Sequence, residues 1–178
     1  MIGNREKGFV IRQANLGDVF AIGRVHVETW RSTYAGLVPD SYLTGMSVAK
    51  KARDWQRTVE DPQQWGKCIV AATTVGLVGF ANHGETRNPE LPYSGEVYAL
   101  YVEVDWQNRG VGRALLARCF QDLREMGHRA AVVWVLADNP SRFFYEAMGG
   151  HSVAERHTPF AGTTLIERAY GWADLDIF

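Results

Sequence analysis

Residues 96–104 read Glu-Val-Tyr-Ala-Leu-Tyr-Val-Glu-Val, and Gln107-Asn108-Arg109-Gly110-Val111-Gly112 follows almost at once. Nearly every side chain of the first run is apolar or aromatic, as in a central strand covered on both faces. From Val111 to Met126 the residues Val111, Leu115, Leu116, Cys119, Phe120 and Leu123 form one helical apolar stripe, and Gly127 offers a stop. A buried strand, a glycine turn and an amphipathic helix are thus expected in direct succession.

The rest of the chain supplies layers around that unit. A first strand is expected at Phe9 to Ala14, and Asn15 or Asp18 can cap a helix beginning near Asp18. Further helices are expected near Asp40 and over Val48 to Val59. Cys68–Ala72 and Leu77–Ala81 read as a hairpin, and Asn82 to Ser94 as a loop. A strand at Ala130 to Leu136 and a helix opened by Asp138-Asn139-Pro140-Ser141 and ended by Gly149-Gly150 come next. Two closing strands, Ser152 to Arg156 and Thr163 to Tyr170, complete the order. The mixture predicts an α/β (α+β) three-layer fold with one mixed sheet, and 178 residues suit a single domain spanning 1–178.

The glycine turn is where chemistry enters. Two glycines let the backbone approach a ligand closely, and the helix start presents amides with no carbonyl behind them. A pyrophosphate there would gain ~1–2 kcal/mol from the helix dipole beyond its hydrogen bonds. A dinucleotide fingerprint needs a third glycine where Leu115 stands, and no segment supplies Gly-x-x-x-x-Gly-Lys-Ser/Thr, so oxidoreductase and kinase-like readings lose support.

Val102 to Leu116 resembles motif A of the GCN5-related N-acetyltransferase (GNAT) family, Gln/Arg-x-x-Gly-x-Gly/Ala, with Gln107, Gly110 and Gly112 filling it. Asn139-Pro140-Ser141-Arg142-Phe143-Phe144-Tyr145-Glu146-Ala147-Met148-Gly149-Gly150 is similar to the family's later Asn…Phe-Tyr-Glu…Gly motif. The resemblance is strong from Glu96 to Arg156 and implies a GNAT-like three-layer fold with a mostly antiparallel, splayed sheet. It also implies acetyl-coenzyme A as co-substrate and transfer of the acetyl group to a primary amine by direct attack in a ternary complex.

On that resemblance the pantetheine arm pairs with backbone near Leu100 and Val102, Leu100 N–H faces the thioester oxygen, and Gln107, Asn108, Arg109, Gly110, Val111, Gly112 and Arg113 hold the pyrophosphate. Asn139 doubles as helix cap and contact to the arm, and Tyr145 protonates the departing thiolate. An alkyl ammonium must lose a proton before attack. Glu96 is the candidate base, because strand alternation places it on the face of Tyr98 and Leu100 at the cleft edge, where partial burial would raise its pKa. An ordinary polar position at a strand start is the competing reading.

The family builds its acceptor site from the first helices and the late hairpin, here His26 to Pro39 and His157 to Thr163. His26, Trp30 and Tyr34 share a helical face suited to a small polar acceptor, with core packing as the alternative. Acceptor candidates are a small-molecule amine and a peptide amino terminus.

Nineteen basic against twenty acidic residues leave no field for nucleic acid. The two cysteines and the His26-Val27-Glu28 and His83-Gly84-Glu85 triplets lack a metal ligand set, so no metal is expected. Met1 to Lys7 lacks the apolar stretch of a signal peptide and no segment is long enough to span a bilayer, which predicts a cytoplasmic protein acting away from membranes. Tyr170-Gly171-Trp172 is a candidate homodimer surface. Two alternatives stay open: a noncatalytic acyl-coenzyme A-binding regulatory module and, more remotely, a dinucleotide-dependent oxidoreductase.

Overall fold

A computed structural model describes residues 8–177. The polar stretch 1–7 lies outside the described residues. In chain order come β1 (Val10–Gln13), α1 (Val19–Thr33), α2 (Asp40–Gly45), α3 (Val48–Glu60), α4 (Pro62–Trp65), β2 (Lys67–Ala72), β3 (Leu77–Glu85), β4 (Gly95–Val102), α5 (Val111–Glu125), β5 (Ala131–Leu136), α6 (Arg142–Ala147), β6 (His151–Phe160) and β7 (Thr163–Trp172).

Both proposed caps near the first helix are used, in sequence. Asn15 accepts from Gly17 N–H at 2.9 Å, while the Asp18 carboxylate, gripped by Arg12, accepts from Asn15 N–H at 2.9 Å. This reciprocal pair closes a short 3-10 turn from which α1 starts at Val19. Ser47 caps α3 with a single bond, accepting from Lys50 N–H.

The strands form one seven-stranded sheet in the order β1-β2-β3-β4-β5-β7-β6, antiparallel throughout except for the parallel pair β4–β5. On one face α5 buries Leu115, Leu116, Cys119, Phe120 and Leu123 against Val97, Val102, Val133 and Trp172. Each of those leucines is worth ~1.5–3 kcal/mol by removal from water. On the other face Ile22 and Val25 of α1 pack with Phe80, Ala99 and Tyr101, and α3 covers them through Trp55. Helices on both faces of a mixed, mostly antiparallel sheet give the three-layer architecture expected.

Two differences from expectation concern length. β3 runs on through Asn82 and His83 to Glu85, where polar residues suggested a loop. The polarity conceals a buried pair: fully enclosed His83 lies 3.3 Å from Asp122 of α5. Burial opposes ionisation of Asp122, but His83 and Arg118 outweigh it and hold the carboxyl below its usual range. β6 and β7 also outrun their expected bounds, pairing from His151↔Gly171 to Phe160↔Thr163 as an arm with one polar face. No helix among the described residues is long and apolar enough to cross a membrane.

Candidate active site

The local event that makes the site is a one-residue bulge in β4. Asn82 pairs with Ala99 and His83 with Val97, so Tyr98 is an extra residue with no partner position on β3. A bulge bends a strand and sharpens its twist. The parallel pairing of β4 with β5 ends at Val97↔Val133, immediately before it. Beyond that point β4 leaves β5, and the splayed strands open a cleft of about 940 Å³.

Tyr98 to Val102 form one wall of the cleft, Val133 to Val135 a second, Asn139 to Ser141 with Phe144, Tyr145 and Met148 a third, and Thr29, Ser32 and Thr33 of α1 with Tyr34 close one side. At its mouth stand Gln107, Asn108, Gly110, Gly112 and Arg113. The turn is built by left-handed backbone at Asn108 (φ 58°) and at Gly110 (φ 81°), the helix-capping position. The first helical hydrogen bond is Ala114 N–H to Gly110 O at 3.0 Å, which leaves the amides of Val111 and Gly112 without intrahelical acceptors. A Cβ on Gly112 would sit 3.3 Å from the Phe144 ring, tighter than ordinary van der Waals contact, so the bare backbone lets α5 and α6 approach closely there. Gln107 turns inward and donates through Nε2 to Val102 O at 3.2 Å, bracing the end of β4 against the turn.

Tyr145 reaches the cleft from α6 and is only 5% exposed, packed between Phe144, Tyr170 and Trp172. Burial pushes its phenol well above the ordinary value, and Tyr34 is pushed up the same way. Asn139 is buried, lines the cleft and accepts from Ser141 N–H at 2.8 Å, the helix-start role expected.

The expected site residues divide. Leu100, Val102, Gln107, Asn108, Gly110, Gly112, Arg113, Asn139, Tyr145 and Tyr34 all line one cleft. Val111 presents its side chain to the core and Arg109 lies 5.4 Å over the Trp106 ring, and neither lines the cleft. His26 and Trp30 stack together, but neither lines the cleft. Of the helical face expected from His26, Trp30 and Tyr34, only Tyr34 lines the cleft, together with Thr29, Ser32 and Thr33 of α1. His26 borders a different cavity, where it accepts from Trp55 Nε1 at 3.0 Å through Nδ1, and burial lowers its pKa to about 3.

Glu96 requires the larger correction. The bulge inverts the alternation on which its placement rested: Leu100 and Val102 pack toward α5, whereas Ala99 and Tyr101 pack toward α1. With Val97 also on the α5 side, Glu96 falls on the face opposite to Leu100. Its carboxylate is fully buried and held by Arg87 N–H at 2.8 Å, the Arg87 guanidinium (Nε at 3.1 Å) and Asn88 Nδ2 at 3.2 Å. It borders no part of the cleft and anchors the 86–94 loop. Sequence reasoning missed Tyr98, Tyr101 and Trp134 as wall residues, because an apolar strand carries no mark of where its pairing breaks.

Comparison with known proteins agrees with this geometry. Residues 88–158 match the FR47-like protein family. The chain is 36% identical over 166 residues, 93% of each chain, to the uncharacterised N-acetyltransferase YuaI of Bacillus subtilis. A shorter match, 35% over 92 residues, is to a mycothiol acetyltransferase of Corynebacterium aurimucosum, covering 51% of this chain and 29% of that one. In fold it resembles an N-acetyltransferase from Staphylococcus aureus (TM-score 0.72, 20% identity, 94% and 99% of the two chains). It also resembles the PaiA N-acetyltransferase of Thermoplasma acidophilum, solved with coenzyme A (TM-score 0.68, 19% identity, 90% and 97%). The chain belongs to the GCN5-related N-acetyltransferase family, and it is an acetyltransferase of that type.

Proposed function

We propose that this protein moves the acetyl group of acetyl-coenzyme A to the primary amine of a small molecule or peptide amino terminus, by direct attack within a ternary complex. The observation that carries the reading is the single cleft running from the amide-rich turn at Asn108–Gly112 to the buried phenol of Tyr145. In this reading the Val111 and Gly112 amides, with Arg113, hold the pyrophosphate at the positive end of α5, supported by the place of Gly112 and Arg113 at the cleft mouth and of all three at the helix start. From Tyr98 onward the β5 side of β4 has no strand opposite, and its backbone is free to pair with a pantetheine amide. A backbone N–H near Leu100 would steady the oxygen on which charge develops, an effect worth about 3 kcal/mol in acyl transfer.

Direct attack is favoured over an acetyl-cysteine route by the state of the thiols. Cys68 and Cys119 are buried outside the cleft, and burial raises Cys68 to about 12 and Cys119 well above its ordinary value. Tyr145, kept neutral by burial, donates a hydrogen bond to the thiolate as the C–S bond breaks. A phenol so buried is a weaker acid than the thiol, so full transfer is coupled to loss of the amine proton. The titratable side chains lining the cleft are Tyr34, Tyr98, Tyr101, Tyr145 and Arg113, none of which is a base at pH 7. The amine therefore arrives neutral or sheds its proton to water, and kcat/KM should rise with unit slope up to the acceptor's own pKa.

Initial rates of thiol release, with acetyl-coenzyme A and each of a panel of primary amines varied together, test this reading. Intersecting double-reciprocal lines and one acetylated amine per thiol are expected. Parallel lines, or thiol release independent of amine, would contradict it.

A further inference from the structure

A second cavity of about 450 Å³ is walled by His26 of α1, Lys51, Asp54, Trp55, Arg57 and Thr58 of α3, Gln64 and Trp65 of α4, Asn82 of β3, Arg87, and the bulge residue Tyr98. Tyr98 borders the catalytic cleft as well, so one ring separates the two spaces. That ring is tightly seated. Its hydroxyl donates to Glu85 O at 2.5 Å and the Arg87 guanidinium lies 4.2 Å above its face. A Cβ on Gly66 would come within 2.6 Å of the ring, and one on Gly84 within 2.6 Å of the hydroxyl. The partition is thus built into the sequence at Gly66 and Gly84.

Three features describe what would fill the space. Trp55, Trp65 and Tyr98 offer aromatic surface, and Trp65 is 49% exposed on its four-residue helix. His26 accepts through Nδ1 from Trp55, so its hydrogen is on Nε2, and that buried donor has no acceptor among the described residues. Lys51 lines the same wall and its charge adds to burial in opposing protonation of His26, so the cavity sets a cation beside a neutral imidazole. The wall carries Lys51, Arg57 and Arg87 against one carboxylate, Asp54, and Glu96 pairs with Arg87, which leaves one positive charge in excess.

We propose that this cavity binds a planar monoanion, an aromatic carboxylate, with its ring among Trp55, Trp65 and Tyr98 and its carboxylate toward Lys51. The carboxylate belongs either to the far end of the amine acceptor or to a separate small molecule, and kinetics distinguish the two. Only that kinetic arm rests on the acetyl-transfer reading.

Tryptophan fluorescence titrations of the full chain with phenylacetate and with its uncharged isostere phenylacetamide read the site directly. Phenylacetate should give a saturable change and bind about tenfold tighter than the amide, the usual worth of one charge-assisted contact. Lys51→Gln should erase that preference while keeping the melting temperature and the acetyl-coenzyme A affinity. Inhibition competitive with the amine marks the cavity as the acceptor's far subsite, and any other pattern marks a separate ligand. No saturable change, equal affinity for the two probes, or a preference that survives Lys51→Gln would overturn the proposal, whatever the protein's turnover.

Discussion

Tyr145 and His26 are both buried aromatic groups with displaced pKa values, yet the displacement means different things in the two cases. Tyr145 lines the catalytic cleft, and its raised pKa keeps a proton available across the working range. Tyr145→Phe should lower kcat by about a hundredfold, the scale of a lost general acid, with little change in acetyl-coenzyme A affinity by calorimetry. No alkaline fall in kcat from this group should appear below pH 10, because its titration has moved upward. His26 is held neutral, with a folded pKa of about 3 against 6.5 unfolded. Between those values the unfolded state binds more protons, so stability falls as pH drops from about 6.5, by up to ~1.4 kcal/mol per pH unit. Urea midpoints from pH 7 to 5 should fall less steeply in His26→Gln than in the parent. The glycine turn and Tyr145 were legible in the sequence because they carry fixed spacing. Glu96 was misplaced because alternation assumes an unbroken ladder, and one unpaired residue at Tyr98 reverses every face upstream of it.

At the level of elements, the bulge in β4 governs the site, since it ends the β4–β5 ladder and opens the cleft. Gly66 supports it: its φ is +83°, and a Cβ there would lie 2.6 Å from both His83 O and the Tyr98 ring. Gly66→Ala should therefore cost about 3 kcal/mol in chemical denaturation, from left-handed backbone plus a clash that must push Tyr98 aside. Gly36 has a similar φ of +77° with nothing within 4 Å of its Cβ position, so Gly36→Ala should cost only about 1 kcal/mol. The elements whose apolar periodicity was complete, α5, β2 and β5, were legible nearly to their ends. β3 was cut short because His83 and Asn82 read as surface residues, although both are buried with partners on other segments. The β6–β7 arm was underestimated because its outer strand is half polar and its length is set by pairing.

For the molecule as a whole, the two faces of the sheet divide the work. The α5–α6 side supplies the anion-holding turn and Tyr145, while the α1–α3 side supplies Thr29, Ser32, Thr33 and Tyr34 at the cleft and the second cavity beyond Tyr98. Side chains from both faces of the sheet thus line the same opening. The central claim, that this opening is an acetyl-coenzyme A site organised by the turn, is tested most directly by calorimetric titration of the parent protein and of Gly112→Trp with acetyl-coenzyme A. The parent should bind one equivalent with a Kd on the order of 10 μM or tighter, about −7 kcal/mol. Gly112→Trp, which must displace Phe144 and fill the turn, should show no binding while melting cooperatively. Absence of binding by the parent, or equal affinity in the two proteins, would contradict the account.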